Sequence, residues 1–383
     1  MQLRPLEFQP LRRGSEALLL LRDPLQLSEQ RLLLPQALAP VLAACQRGAS
    51  AAQLAERWPD DLGPPAVDDL LDQLDGAHLL ANERAAQARA TQTAAFRQLP
   101  ARPLAHAGRL YPAKANLLAD LFARRLAAAG DPASDQPCRG LLSPHLDYER
   151  GGAVYAAAWQ TGRSALATAD LVVILGTDHW GRPGGITLTS LPFATPFGQL
   201  PAAPELVSDL AAALGPALRA DELHHRYEHA IELNSNWLGY LAGQGGPPLL
   251  PVLCGPVDWA DDKQLAQLDS FATHLRTLVA GQRVLYVASV DLAHVGPAFG
   301  EVAVEDAAWR DREAERLGLL QQVDAAGWRD HLATTANRDQ VCGASTIYLF
   351  MRLLGKSVGE RLRYETVRAG RDGRVACAAM RFS

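Results

Sequence analysis

Cysteine is scarce in this chain and shows no pairing pattern. The five residues (Cys45, Cys138, Cys254, Cys342 and Cys377) are scattered through 383 positions without a C-x-x-C spacing. An odd, dispersed set argues against a disulfide framework and reads as core thiols, with one candidate metal ligand among them. Long apolar runs are missing as well. None approaches the roughly 20 residues of a membrane-spanning helix, and no charged-then-apolar leader with a small-residue cleavage site opens the chain. These absences predict a soluble, cytoplasmic protein with no membrane partner. Charge of one sign is also lacking: 37 Lys and Arg against 42 Asp and Glu give a formal net charge of −5. Without a basic stripe, nucleic acid is not an expected partner.

What the chain does have is apolar substance, 48% of its residues, enough for a sizeable core. Its length suits a small domain joined to a large one. Residues 1–90 read as a small helical module with a β edge. Apolar stretches at 17–21 and 32–34 precede helical patterns at 37–44, at 51–56 (entered from Ser50 as N-cap) and at 66–74. The module closes on residues 76–80, similar to the strand after the last helix of winged-helix and related peptide-binding modules. Packing or partner contact is its expected role. Residues 91–104 read as a linker, within an Ala-rich polar stretch that also suits a connecting helix. From 105 to 383, strand-like runs alternate with Ala/Leu-rich helices. That alternation predicts an α/β fold, a three-layer αβα domain with a mixed central sheet.

Three apolar runs stop at a histidine: 139–145 at His145, 171–179 at His179 and 284–294 at His294. Loops leaving the carboxyl ends of strands in an open α/β sheet gather on one rim, so these imidazoles would meet in a metal or acid/base site. Asp291 and His294, three apart, suit a first helical turn on which the carboxylate fixes the imidazole tautomer or accepts its proton. The plainer alternative is an N-cap with a packed histidine beneath it. The densest polar cluster runs from His224 to Leu233. Within it, His225-Arg-Tyr-Glu228-His229 matches the H-x-x-E-H pattern of inverted zinc peptidases. The competing reading starts a helix near Tyr227 and sets His229, Glu232 and Asn236 along one inner stripe. Cys342 precedes an apolar helix at 346–354, where the helix dipole stabilises a thiolate for metal ligation or nucleophilic work.

Taken in order, seven segments resemble the Memo family, specifically its bacterial members called AmmeMemoRadiSam system protein B. They are Ser143-Pro-His-Leu-Asp-Tyr148 with Gly151-Gly152, Leu175-Gly-Thr-Asp-His179, Phe193-Ala-Thr-Pro-Phe-Gly198, Glu228-His-Ala-Ile-Glu-Leu233, Pro251-Val-Leu-Cys-Gly255, Asp291-Leu-Ala-His-Val-Gly-Pro297 and Val341-Cys-Gly343. The resemblance implies a fold similar to class III extradiol dioxygenases, non-haem iron enzymes that open catechol rings. It implies metal ligands at His145, His179 and Cys342, and an acid/base group at His294 with Asp291 beside it. Substrate contacts are expected from His229, Glu232, Tyr148 and Asp178. Fe(II) is the implied cofactor, and a thiolate in place of a carboxylate softens the set enough to admit copper or zinc. The expected activity is a metal-dependent redox reaction on a small molecule or a modified peptide. A non-catalytic metal- or peptide-binding accessory protein with a radical-SAM partner is the second expectation, and the zinc peptidase the third. The chain departs from the family pattern at Ala344-Ser345-Thr346, where a Pro is expected, and at Asn234, where relatives often have Gln.

Overall fold

The computed structural model describes residues 1–130, 138–243, 245–299 and 308–383. The chain divides into two compact units, Met1–Gln98 and Leu99–Ser383.

In the first unit, β1 (Glu7–Arg13), β2 (Glu16–Arg22) and β3 (Leu32–Pro35) form an antiparallel sheet in that order. The helices α1 (Ala39–Gln46), α2 (Ala51–Ala55), α3 (Val67–Gly76) and α4 (Glu83–Arg97) follow. The apolar stretches at 17–21 and 32–34 are therefore strands. Leu19, Leu21 and Leu34 pack with Val41, Leu42, Leu54, Leu70 and Leu74 in one core. Ser50 caps α2 through a reciprocal capping box with Gln53. Asn82 caps α4, which takes up the polar Ala-rich stretch: the Asn82 side chain accepts from the Ala85 N–H.

The second unit opens with α5 (Ala115–Ala129), β4 (Gly140–Ser143), α6 (Tyr148–Thr168), β5 (Leu171–Thr177) and β6 (Ile186–Leu188). A small hairpin, β7 (Phe193–Thr195) and β8 (Gly198–Leu200), leads to α7 (Pro204–Leu214), α8 (His229–Ala242), β9 (Leu249–Cys254), α9 (Asp262–Leu278) and β10 (Val284–Ser289). The rest comprises β11 (His294–Val295), α10 (Ala308–Gln322), α11 (Ala325–Thr335), α12 (Ala344–Leu354), β12 (Gly359–Ala369) and β13 (Gly373–Phe382). Among the described residues the central sheet has eight strands, ordered β11-β13-β4-β10-β5-β9-β6, with β12 paired to β13. The inner four run parallel and their flanks antiparallel, so the sheet is mixed.

The continuous apolar runs follow from burial on both faces, as parallel strands require. In β5, Leu171, Val173 and Leu175 face the core built with α7, α9 and α12, while Val172 and Ile174 face the core built with α5, α6 and α8. From β9 the chain passes through α9 and returns as β10 between β4 and β5. That reversal of strand order opens a crevice at the carboxyl ends, the usual ligand position in open α/β sheets. Ser289 pairs with both Ser143 and Gly176, which sets the ends of β4, β10 and β5 level. His145, His179 and Asp291 each follow within three residues.

Candidate metal centre

Three imidazoles meet at this rim. His145 follows β4, His179 follows β5, and His229 is the first residue of α8. Each offers one ligand atom, and these atoms all lie within 4.8 Å of one another. The rings of His179 and His229 stack at 4.8 Å, and His145 stands edge-on to both at 5.2 Å. The helix reaches the strand end because Gly176 has no side chain. A Cβ there would lie 2.8 Å from Ile231 Cδ1 and 3.0 Å from Ala230 Cβ. Asn234 fastens the same junction: it accepts from Trp159 Nε1 at 2.8 Å and donates to the Pro144 carbonyl at 2.9 Å and to Ser289 Oγ at 2.6 Å.

Every one of the three rings has its Nδ1 committed to an acceptor. His145 Nδ1 donates to the Ser289 carbonyl at 3.1 Å. Glu228, which caps α8, receives His179 Nδ1 at 3.0 Å and His229 Nδ1 at 3.1 Å. The same carboxylate accepts from the backbone N–H of His179 at 3.1 Å and of Ala230 at 3.0 Å. An acceptor-only partner places the proton on Nδ1, so in the neutral rings the Nε2 lone pairs are free. Carboxylate or carbonyl behind an imidazole is the arrangement that orients histidine ligands of metals. The donor set thus fits a metal ion.

Cys342 stands beside this trio, its Sγ 3.3 Å from His145 Nε2. Gly343 permits that approach, since a Cβ there would lie 2.4 Å from Val290 Cγ1. Burial, with the neighbouring His229 and His179, holds the His145 imidazole far below its ordinary value. Burial opposes charge on His179 too, but Glu228 and Cys342 outweigh it and keep the proton bound well above the ordinary range. Burial disfavours charge on Glu228 as well, yet His179 and His229 drive its carboxyl well below the ordinary glutamate value. His145 is buried, whereas the side chains of His179 and His229 are 30% and 31% exposed, so the centre is open on their side.

Several expected site residues are placed otherwise. Asp291 and His294 share no helical turn: residues 290–293 lie outside any helix and are tied to β13 by Leu292 N to Ala376 O and Ala376 N to Ala293 O, both 2.8 Å. Asp291 instead accepts from the His145 N–H at 3.2 Å, and its other oxygen lies 3.5 Å from His145 Nε2. Burial raises its carboxyl to about 7. His294 opens β11, half-buried, with Nδ1 donating to the Leu292 carbonyl at 2.9 Å, and burial lowers it to about 4. The H-x-x-E-H reading fails on geometry. His225 lies in a separate 3-10 turn, Glu222–Arg226, with Nε2 on the Thr187 carbonyl at 3.1 Å.

Glu232 is fully buried and committed to structure rather than to substrate. It pairs with the Arg102 guanidinium, accepts from Tyr111 Oη, and takes the N–H groups of Ala105 and His106 at 3.0 and 2.9 Å. Tyr148 is likewise buried, its hydroxyl bonded to the Leu233 carbonyl and its ring packed on Phe122 at 5.0 Å. Asp178 is buried beneath the rim, accepting from His224 Nδ1 at 2.8 Å and from the Trp180 N–H at 3.1 Å. The strap from Arg102 to Tyr111 went unseen in the sequence, where Arg102 carries no motif. Its His106 ring stands 5.8 Å from His229 and forms part of the wall.

Fold and site together define an α/β protein with an open cluster of imidazoles, able to hold a metal ion, at the carboxyl rim of a mixed sheet. The chain belongs to the Memo family: residues 102–381 match the family's model, described as Memo-like protein. Similar proteins include the MEMO1 family protein of Aquifex aeolicus, 28% identical over 320 residues that cover 82% of each chain. The MEMO1 family protein of Methanosarcina mazei is 27% identical over 280 residues, 72% of this chain and 96% of that one. Among the described residues, no helix is long and apolar enough to cross a membrane.

Proposed function

We propose that this protein is a metal-dependent redox enzyme whose centre holds iron(II), akin to class III extradiol dioxygenases, and that it acts on a small molecule or a modified peptide. One observation carries the reading: three imidazoles with every Nδ1 committed behind them and an open side in front. Sites that hold a metal for catalysis keep a position free, whereas structural sites close it. Iron(II), when bound, supplies open coordination positions and one-electron chemistry toward oxygen. His145 and His179 are the shared members of the ligand set, completed by His229 and by the Cys342 thiol. Glu228 and the Ser289 carbonyl orient the rings, and Asp291 holds the His145 backbone in place. His294, neutral near pH 7 and held by hydrogen bonds to the Leu292 and Gln340 backbones, would be the acid/base group.

A second reading draws support from the first unit, which has its own core. In that reading the protein binds metal or peptide without catalysis and serves a radical-SAM partner. Metal analysis of protein purified without air tests both. Stoichiometric iron, lost in His145→Ala and His179→Ala, with oxygen uptake by the loaded protein, supports the enzyme. Metal without oxygen uptake supports the accessory reading, and metal surviving both substitutions overturns the ligand assignment. Comparing His229→Ala with Cys342→Ala identifies the third ligand.

A further inference from the structure

A cluster of buried charges is bonded to the segment that carries His294. Asp339 is 1% exposed, and its carboxylate is held by three donors from α10: Nε and Nη2 of Arg312 and Nη1 of Arg316. Burial opposes its charge, but the two guanidinium groups prevail and keep the carboxyl below its ordinary value. Arg316, fully buried, also donates Nε to Glu313 at 2.8 Å. The cluster reaches the chain at two successive residues. Glu313 accepts the Ala293 N–H at 3.4 Å, and the Asp339 carbonyl accepts the His294 N–H at 2.7 Å. The Gln340 backbone holds the His294 ring. Buried ion networks seldom gain stability over well-packed apolar side chains, so one bonded to the backbone of a site residue points to a demand for fixed geometry.

The turn that carries Asp339 is strained. Ala336, which ends α11, has φ +49°, Asn337 +45° and Gln340 +49°, a region that favours glycine. Backbone of this kind persists only where its surroundings over-determine it. Here the fastenings lie on both sides of Asp339. The Asn337 side chain accepts from the Val341 N–H at 3.0 Å and donates to the Val341 carbonyl at 3.2 Å, and Gln340 Nε2 donates to the Phe299 carbonyl at 2.6 Å. Phe299 in turn stands edge-on to the His294 ring at 5.1 Å. The residue after Val341 is Cys342, whose Sγ lies beside His145 Nε2. We propose that Asp339 is a positioning residue: clamped between Arg312 and Arg316, it locks the turn 336–341 and through it sets two groups of the centre, the His294 imidazole and the Cys342 thiol. The roles given to those two groups rest on the metal reading; their dependence on Asp339 does not, and the test is made on metal-free protein.

Asp339→Asn keeps the shape of the side chain and removes the charge that holds the two arginines. Phe350→Leu, a core change where α12 packs on Phe382 at 5.0 Å, serves as a control that lowers the melting temperature without altering the turn. Two readouts on the full metal-free chain, taken well below both melting temperatures, separate positioning from stability. They are the alkylation rate of Cys342 by iodoacetamide and the imidazole ¹H–¹⁵N correlations of His294. In Asp339→Asn the thiol should react severalfold faster, and the His294 correlations should shift and broaden as the ring samples more than one position. Arg312→Gln, which leaves Arg316 on the carboxylate, should show both changes at smaller amplitude, and it keeps the test valid if Asp339→Asn fails to fold. Wild-type behaviour of both groups in Asp339→Asn overturns the proposal, and so does a change at one group without the other. Equal changes in Phe350→Leu overturn it as well, since Asp339 would then act through stability alone. Metal retained or lost in His145→Ala and His179→Ala bears on the ligand assignment alone and leaves these readouts as they are.

Discussion

Replacing Glu228 by Gln removes one charge without changing shape, and its consequence can be worked out atom by atom. The carboxylate accepts four N–H groups, two on each oxygen: His179 N and Nδ1 on one, His229 Nδ1 and Ala230 N on the other. An amide keeps one acceptor and presents an NH₂ where the other stood. Whichever way it turns, a donor confronts donors. If the NH₂ faces His179 or His229, that ring must rotate or move its proton to Nε2, and a protonated Nε2 cannot bind a metal. Loss of a carboxylate behind a ligand typically costs about 10- to 100-fold in metal affinity. That corresponds to about 1.4–2.7 kcal/mol. Competition titration of Co(II) or Zn(II) against a chromophoric chelator, on wild type and Glu228→Gln, reads the affinity. Imidazole ¹⁵N shifts of the metal-free protein read the tautomers. Affinity within twofold of wild type, with both rings still protonated at Nδ1, would refute the reasoning.

Three further outcomes follow from the packing. Gly343→Ala should drive a Cβ into Val290, cost about 1–3 kcal/mol, and move the thiol off His145; thermal melts and the metal competition assay should both report it. Arg102→Ala strips Glu232 of its buried partner and should destabilise the second unit by about 3–5 kcal/mol in urea titration. Burial opposes the charge on Glu232, but Arg102 and His106 prevail and hold its carboxyl below the ordinary 4.5. Its stabilisation is therefore present above pH 4.5 and disappears as pH falls through the lowered value in the fold. Melts taken between about pH 3 and pH 7 should show wild type losing that increment while Glu232→Gln, weaker throughout, lacks this acid-dependent step.

Much of this architecture was readable from pattern. The apolar runs that stop at His145 and His179 hold β4 and β5, because runs with both faces buried have few other ways to fold. His145 and His179 were visible as strand-end residues, since strand ends in a parallel sheet fall on one rim. What stayed hidden depended on where separate elements meet. The placing of His229 against His145 and His179 turns on Gly176, whose missing side chain lets α8 settle on β5, and nothing local to His229 announces it. Asp291 and His294 have helical spacing, but β13 captures the intervening backbone and turns the carboxylate toward His145. Glu232 looked like a site residue because it lies three positions from His229. Its partners, Arg102 and Tyr111, come from a strap more than a hundred residues earlier.

The distribution of thiols has a practical consequence. Cys45, Cys138, Cys254 and Cys377 are buried, and Cys342 is the one cysteine that solvent partly reaches. An alkylating reagent applied to folded protein should therefore mark a single position, which is the one beside the imidazoles. Under the proposed ligand set its labelling rate becomes a gauge of occupancy, slow if an ion claims the sulfur and fast if none does. Exposure to peroxide has the same address, because oxidation follows accessible thiolate. A first oxidation to the sulfenic acid would exchange a soft donor for a harder one and could be reversed by thiol, so the protein's handling history would be written into its metal preference.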